Sequence, residues 1–433
     1  MNVRSLILVF IIAGSLGVAC KKDTDTTSPS ITITAPATSS SFNVFDTITV
    51  AAIVKDDEQL ESISIRLLDQ DQVPVLPTIS VSASSNSVSF SKLLPISNIH
   101  LSTGTYYVNV FASDGKNDAN SFVQITVIEA PLEVERYIVV SRPGSGLVRL
   151  DTIDDQFSIG LQSQWNGDHS TTAVNSYHQQ IVVGGGDVSA ALSLDGEYAS
   201  VVWSAANLNI SSLPYFKDVH FSEDHLITYM TNEDHQIRGY NENGSVVFSA
   251  MSSSIYRPKK VIGHGSLVIV ELESIVPPLN RLGSYWRSSG VLWQDHPLSM
   301  DVVYMNPRNS DRLIMFGNEN GQAVVEERDL DNGSFWTLTS LPSGTLNDAT
   351  AINATSYLLA HENGLYRYDY STNADVLLVG GINALKVSYD KVNAMAIVAV
   401  NSEIRYYDAA TGTFLTSVSL MDDAEAIGVL YNK

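Results

Sequence analysis

From Glu133 onward the chain alternates apolar and polar residues in short runs, broken by turns rich in Asp, Asn and Gly. Residues 402–418, SEIRYYDAATGTFLTSV, show it most clearly: alternation through Ile404 and Tyr406, turn residues at 408–412, then alternation through Phe414 and Val418. Period-2 alternation on both sides of a short Asp/Gly turn predicts a β-hairpin. The pattern recurs in GLYRYDYSTNADVLLV (364–379), AVVEERDLDNGSFWTL (323–338), QIRGYNENGSVVFSA (236–250) and GLVRLDTIDDQFSIG (146–160). Asp151, Asp329, Asp369 and Asp408 are the expected turn residues in four of the five, with Asn241 in the other.

Two further apolar runs precede each hairpin, so the repeating unit is four strands. The first runs begin near Thr171, Phe216, Arg257, Ser299, Asn347, Ile382 and Ala424, at spacings of 35 to 48 residues. A four-stranded repeat of this length indicates propeller blades. Residues 136–162 hold only three strands (137–140, 146–151 and 157–161), whereas 424–431 is a lone strand with nothing after it to pair with. Joining the two sets completes a blade and removes the open edges of the ring. The expectation is an all-β chain whose residues 131–433 form a seven-bladed β-propeller closed by the C-terminal strand. Pro277-Pro278 interrupts the blade at 257–293 and predicts a longer loop there. A second array of β-sandwiches would leave the orphan strand unexplained.

Residues 31–130 have a different rhythm. Alternating runs at 31–34, 47–54, 60–67, 88–93, 106–112 and 122–128 are separated by Asn, Asp, Ser and Pro clusters. Short strands at this density predict an antiparallel β-sandwich. Asp56, Asp57 and Glu58 fall in one of its turns, Asp114 and Asp118 in another. Such oxygen ligands suit Ca²⁺ if the turns meet, but aspartate is also a favoured turn residue in its own right.

Composition sets limits on partners. The 433 residues are 44% apolar and 17% charged, enough for more than one core. A net charge of −22 argues against nucleic acid and anionic lipid surfaces. A single cysteine excludes an intramolecular disulfide framework. Residues 1–19 read as an export signal, with Arg4, an apolar stretch at 6–12 and Gly17-Val18-Ala19 before the cleavage point. The uncharged run 5–19 is short for a bilayer-spanning helix. Residues 20–30, which contain KKDTDTTSPS, read as a flexible tether.

LGVAC at 16–20 resembles a lipobox, with Gly17 where a branched residue usually stands and Leu16 one position earlier. The resemblance implies lipidation of Cys20, and two or more acyl chains anchor stably at about 0.8 kcal/mol per buried CH₂. KKDTD at 21–25 resembles the charged tether of Bacteroidota lipoproteins, and Asp25-Thr26-Thr27 resembles the O-glycosylation sequence of that phylum. GTYYVNVFASDG at 104–115 resembles the penultimate strand of PKD-like and other bacterial immunoglobulin-like domains. YDAATG at 407–412 resembles YVTN-type propeller repeats. In order of parts the chain resembles the PKD-like family lipoproteins of Bacteroidota. That implies an outer-membrane lipoprotein, facing the periplasm or the cell surface, in adhesion or nutrient capture; separately, no cofactor is expected. The immunoglobulin-like module is then a stalk.

Function in a propeller sits on loops at one mouth of the ring. Trp165, Asp168 and His169 are expected in one outer-to-inner connection, and Trp293, Asp295 and His296 in another. His235, Glu319, His361 and Glu362 fall in turns between second and third strands, which end on the same face. Flat rings with carboxylates and imidazoles suit a glycan or an extended protein segment. Each also has a plainer reading, a tryptophan as a wedge between blades and a turn glutamate as a solvated side chain. No HExxH or metal-spaced Cys/His set appears. Gly263-His264-Gly265-Ser266-Leu267 lacks the GxSxG spacing, and Gly184-Gly185-Gly186 precedes no helix. Asp329-Leu330-Asp331-Asn332-Gly333 imitates only half a calcium loop. The expected function is a lipid-anchored, non-enzymatic binding protein. The competing classes are a propeller glycan hydrolase or lyase, drawing its carboxylate pair from Asp168, Asp295, Glu319 and Glu362, and a structural subunit of an outer-membrane complex.

Overall fold

The computed structural model describes residues 26–433 apart from 145, 186–189, 210–213 and 277–278. The export signal, Cys20 and the start of the tether therefore lie outside the described residues, as does Pro277-Pro278. Thr26 is exposed. Ser30 already pairs with Lys55, so the first strand begins inside the stretch read as tether. Among the described residues all regular structure is β-strand, and the chain divides into two compact units between Pro131 and Leu132.

The first unit has two sheets around one core. Ser30–Ala35, Thr47–Lys55 and Ser87–Pro95 form a three-stranded sheet. Ser40–Asn43, Asp118–Ile128, Gly104–Ser113, Ser62–Leu68 and Ile79–Val81 form a five-stranded one. Alternation decides which side chains meet. Ile48, Val50, Ala52 and Val54 point inward from Thr47–Lys55, against Ile63, Ile65, Val108, Val110, Ile125 and Val127 of the other sheet. Each such large aliphatic side chain contributes about 1.5–3 kcal/mol on burial.

The second unit consists of seven four-stranded antiparallel sheets. Six are consecutive in the chain: sheet 1 at 171–206, sheet 2 at 216–251, sheet 3 at 256–298, sheet 4 at 301–340, sheet 5 at 346–380 and sheet 6 at 386–419. Sheet 7 takes Val134–Ser141, Leu147–Ile153 and Ile159–Asn166 from the start of the unit and Ala424–Tyr431 from its end. That last strand pairs along Val134–Ser141 from Ala424↔Ser141 to Tyr431↔Val134. The first strands of sheets 1–6 and Ala424–Tyr431 touch one another in cyclic order, the seventh returning to the first. This radial arrangement is the layout of a β-propeller.

A separate apolar cluster fills each gap in the ring. Between sheets 7 and 1 lie Ile138, Val140 and Leu150 with Ile181 and Leu194; between sheets 1 and 2, Trp203 packs with Phe216 and Tyr240. Second strands are packed on both faces, so Leu313, Ile314, Met315 and Phe316 are all fully buried in sequence. Burial on both faces explains why these strands read as continuous apolar runs rather than alternations.

The third-to-fourth-strand turns are held by a side-chain oxygen that accepts backbone N–H groups just ahead of it. Asp329 Oδ1 accepts from Asp331 (2.9 Å) and Asn332 (3.0 Å), and Asp408 Oδ1 from Ala410 (3.1 Å) and Thr411 (2.8 Å). Asn241 Oδ1 does the same for Asn243 (3.1 Å) and Ser245 (2.9 Å). In the amino-terminal hairpin the turn residue is Asp154, which accepts from Gln156 (2.9 Å) and Ser158 (2.8 Å), and not Asp151. A bulge between Leu150 and Asp151 keeps Asp151 in the strand, where it pairs with Arg149 at 2.6 Å. Gly244 in the turn of sheet 2 has φ 77° and lies directly over Trp203 of sheet 1, which leaves no room for a β-carbon.

Candidate functional site

Because strands in each sheet are antiparallel, connections alternate between the two ends of the ring. First-to-second and third-to-fourth turns lie at one end. Second-to-third turns and the links to the next sheet lie at the other, termed the mouth.

Toward the mouth, the inner strands enclose a cavity of about 280 Å³ to which every sheet contributes. Its wall includes Thr172, Asp218, Lys260, Tyr304, Asp348, Lys386 and Glu425, one from each inner strand. A recess of about 600 Å³ at the opposite end shares His220, Ile262, Tyr304 and Met305 with it, so these four residues stand between the two.

Five of the seven innermost strands are bulged, while Thr171–Asn175 and Lys386–Asp390 pair in regular register. Pairing with the second strand skips a step between Phe216 and Asp218, Pro258 and Val261, Val302 and Tyr304, Leu346 and Asp348, and Ala424 and Ala426. A bulge re-aims the side chain beside it. Asp218 Oδ2 accepts the Val261 N–H of the next sheet at 3.0 Å, and its Oδ1 lies 3.3 Å from Lys260 Nζ. Asp348 repeats the clip, with Oδ2 on Val387 N–H (3.1 Å), while its Oδ1 accepts Ala349 N–H (3.0 Å). Thr171 Oγ1 and Glu271 Oε1 play the same part toward Val219 (3.1 Å) and Val302 (3.3 Å). Asp218, Asp348 and Thr171 thus staple one inner strand to the next, and Glu271 reaches the next inner strand from a second strand.

The electrostatics follow from position. The Asp218 carboxylate raises the Lys260 ammonium above its ordinary value, and the lysine side chain keeps 39% exposure because it faces the lumen. Burial pushes the His220 imidazole down to about 4, so it is neutral at pH 7. Around the mouth, Arg142 bridges Asp168 and Glu425, while Lys217 and Arg257 both hold Glu233 at 2.7 Å.

Of the residues expected at the rim, Asp168, His235, Glu319 and Glu362 lie at the mouth. Asp168 pairs with Arg142, and Glu319 ends the strand Arg312–Glu319 half-buried. His235 has φ 64° and bonds the Tyr256 carbonyl through Nδ1 at 2.7 Å. Glu362 is exposed and accepts the Thr345 hydroxyl at 3.1 Å. His169 and His361 sit beneath the surface instead. His169 Nε2 meets the Thr172 hydroxyl at 2.8 Å, and burial pushes this imidazole to about 4. His361 is fully buried, accepting Asn363 N–H at 3.1 Å with its ring against Tyr366.

Trp293, Asp295 and His296 are not in a connection. They lie within the outer strand Leu292–Leu298 of sheet 3. Pro297 lies in the same strand, whose free edge tolerates proline. Trp293 packs on the core between sheets 3 and 4 and against Trp286, Asp295 pairs with Arg281, and His296 bonds the Leu330 carbonyl at 3.2 Å. Trp165 likewise belongs to the outer strand Ile159–Asn166 and packs on the core between sheets 7 and 1. Both tryptophans are wedges between sheets. The cavity residues Asp218, Lys260, Asp348, Lys386 and Glu425 were the missed signal: charged positions recurring in runs otherwise expected to be innermost strands.

In the first unit the two acidic turns do meet, joined by Lys116 Nζ and Glu58 Oε2 at 2.6 Å. Their carboxylates hold their own turns: Asp56 accepts N–H groups of Asp57 (2.6 Å) and Glu58 (3.2 Å), and Asp114 those of Lys116 (2.6 Å) and Asn117 (2.7 Å). Asp118 is exposed at the start of Asp118–Ile128. Among the described residues no group of three or more His, Cys, Asp or Glu is placed to hold a metal ion.

No family model and no curated protein matches the chain. Among solved structures, it is similar to a chain of a mitotic checkpoint complex, at 13% identity and a TM-score of 0.49, over 68% of this chain and 88% of that one. It is also similar to the computationally designed Ika8 protein (13% identity, TM-score 0.46, 68% and 87% covered). A third similarity is to BamB from Moraxella catarrhalis, at 12% identity and a TM-score of 0.41, over 67% of this chain and 91% of that one.

Proposed function

We propose that the chain is a lipid-anchored, non-catalytic binding protein of the cell envelope. In this reading the second unit is a seven-bladed propeller closed by its carboxy-terminal strand, the first unit is an immunoglobulin-like module between anchor and propeller, and a glycan or protein ligand binds at the mouth. The observation that carries the binding role is the polar cavity built jointly by all seven inner strands, at the end that also presents Asp168, His235, Glu319 and Glu362. Concave polar sites of this kind fix a ligand by a few placed hydrogen-bonding groups. The wall carboxylates favour binding over hydrolysis, because Asp218, Asp348 and Glu425 are engaged by backbone N–H groups, Lys260 or Arg142. The anchor rests on LGVAC at 16–20, and adhesion or nutrient capture is the role that the resemblance to Bacteroidota lipoproteins implies.

Glycan and peptide arrays probed with the 26–433 fragment test this. Hits should be lost in Glu319→Ala/Glu362→Ala at the mouth and kept in Glu223→Ala/Asp224→Ala at the opposite end. Equal binding by both double variants would place the ligand elsewhere, and steady release of reducing sugar from any bound glycan would favour the hydrolase. Membrane fractionation of the full chain tests the anchor: Cys20→Ser should move it to the soluble fraction.

A further inference from the structure

We propose that the mouth cavity is a seat for a single carboxylate on a small, otherwise neutral ligand such as a sugar acid, with Lys386 as its counter-ion. The proposal rests on reading the mouth as the binding site.

Two near-copies of one arrangement stand three sheets apart in the ring. In the first, Asp218 accepts Val261 N–H, and Lys260, the residue before that valine, pairs with the remaining Asp218 oxygen at 3.3 Å. In the second, Asp348 accepts Val387 N–H, and Lys386 stands just before that valine. Here the remaining oxygen is taken by Ala349 N–H at 3.0 Å, and Lys386 makes no ion pair among the described residues. The other acid on this side of the wall, Glu425, is drawn away to Arg142 at 3.0 Å. One copy of the arrangement therefore closes an ion pair, and the other leaves the Lys386 ammonium on the cavity wall without a salt-bridge partner, beside an Asp348 carboxylate whose oxygens are taken up by backbone N–H groups.

An ammonium group without a salt-bridge partner in a narrow cavity attracts an anion more strongly than the same group on an open surface. Ser388 lies two residues along the same strand, so its hydroxyl shares the face with Lys386 and supplies a second donor. The space, about 280 Å³, lies at the small end of ligand pockets and suits one sugar ring or a small acid. The net charge of −22 repels polyanions, which selects a ligand bearing one negative group over one bearing many.

Calorimetry on the 26–433 fragment with glucuronate, galacturonate and lactate, and with glucose as the neutral control, tests the proposal. At least one acid should bind about tenfold or more tighter than glucose, lose that margin in Lys386→Ala and recover it in Lys386→Arg. Circular dichroism of Lys386→Ala should match the parent, since the side chain holds nothing in the fold. No acid binding above glucose, or undiminished binding in Lys386→Ala, overturns the proposal. Array hits with neutral glycans that survive Lys386→Ala would sink this inference while leaving the mouth as a binding site. No hit of any kind would sink both.

Discussion

Glu271 carries a test of the packing between sheets 3 and 4. It sits in Leu267–Ser274, the second strand of sheet 3, with no exposed surface. One carboxylate oxygen accepts Val302 N–H at 3.3 Å, Lys259 Nζ lies 3.6 Å away, and Oε2 has no partner among the described residues. Burial raises its pKa from 4.5 to about 7, with Lys259 offsetting part of the effect. Between those values the native chain holds a proton that the unfolded chain releases. The stability contributed by the protonated form is therefore complete below pH 4.5 and lost as pH rises through 7. A change of that size corresponds to about 3 kcal/mol. Glu271→Gln keeps the shape and removes the titration. Its unfolding free energy, followed by urea titration with Trp286 and Trp293 as fluorescent reporters, should gain about 2–3 kcal/mol on the parent between pH 5 and pH 8. His169 and His220, pushed down to about 4, act with the opposite sign: their contribution is full above 6.5 and lost as pH falls through 4. Both proteins keep these histidines, so they cancel in the difference. A parent-to-variant difference that stays constant from pH 5 to pH 8 would refute the burial of a titrating acid at this position.

Arg328 and Glu326 are each 1% exposed and 3.5 Å apart, and Arg328 also donates to the Pro297 carbonyl at 2.7 Å. Arg328→Met alone should cost about 3–5 kcal/mol by leaving Glu326 without its partner, while Arg328→Met/Glu326→Leu should recover most of it; guanidinium unfolding of the single and double variants measures both, and a single-variant cost below about 1 kcal/mol contradicts the pairing. Gly244→Ala must hold φ 77° with its new carbon 2.6 Å from the Trp203 side chain, whereas Gly265→Ala at φ 55° meets nothing within 4 Å. Both should show the backbone strain of about 1–2 kcal/mol, and only Gly244→Ala should also shift the Trp203 fluorescence.

Hairpins were the most legible part of the sequence, because their turns depend on local chemistry. Asp329, Asp369, Asp408 and Asn241 cap turns through their own side chains, a signal independent of the rest of the fold. The repeat spacing also located inner strands closely, Thr171, Phe216 and Ala424 being their first residues. Starts elsewhere shift slightly, to Lys386 where Ile382 was expected and to Asp301 where Ser299 was. Site residues were harder to read, for a physical reason. Bulges beside Asp218, Val261 and Asp348 break the two-residue period, so alternation no longer reports which side chains face the lumen. A bulge also interrupts the outer strand Leu292–Leu298, so alternation did not place Trp293, Asp295 and His296 within it. Burial of His361 beneath the mouth depends on Tyr366 and the strand Leu346–Ala351, neither of which its sequence neighbours announce.

Everything proposed for the mouth depends on the carboxy-terminal strand pairing with Val134–Ser141 to complete the ring. The 26–433 fragment lacks Cys20, the chain's single cysteine, so Val140→Cys/Ala426→Cys introduces the sole pair of thiols. These residues are direct partners across the antiparallel ladder, where α-carbons stand about 4.5–5.5 Å apart, within reach of a disulfide. Under mild oxidation the native fragment should form this bond nearly completely, leaving Val134–Ser141 and Ala424–Tyr431 joined after proteolysis of the segment between them. Two thiols that remain free and titratable in the folded protein would contradict the closure.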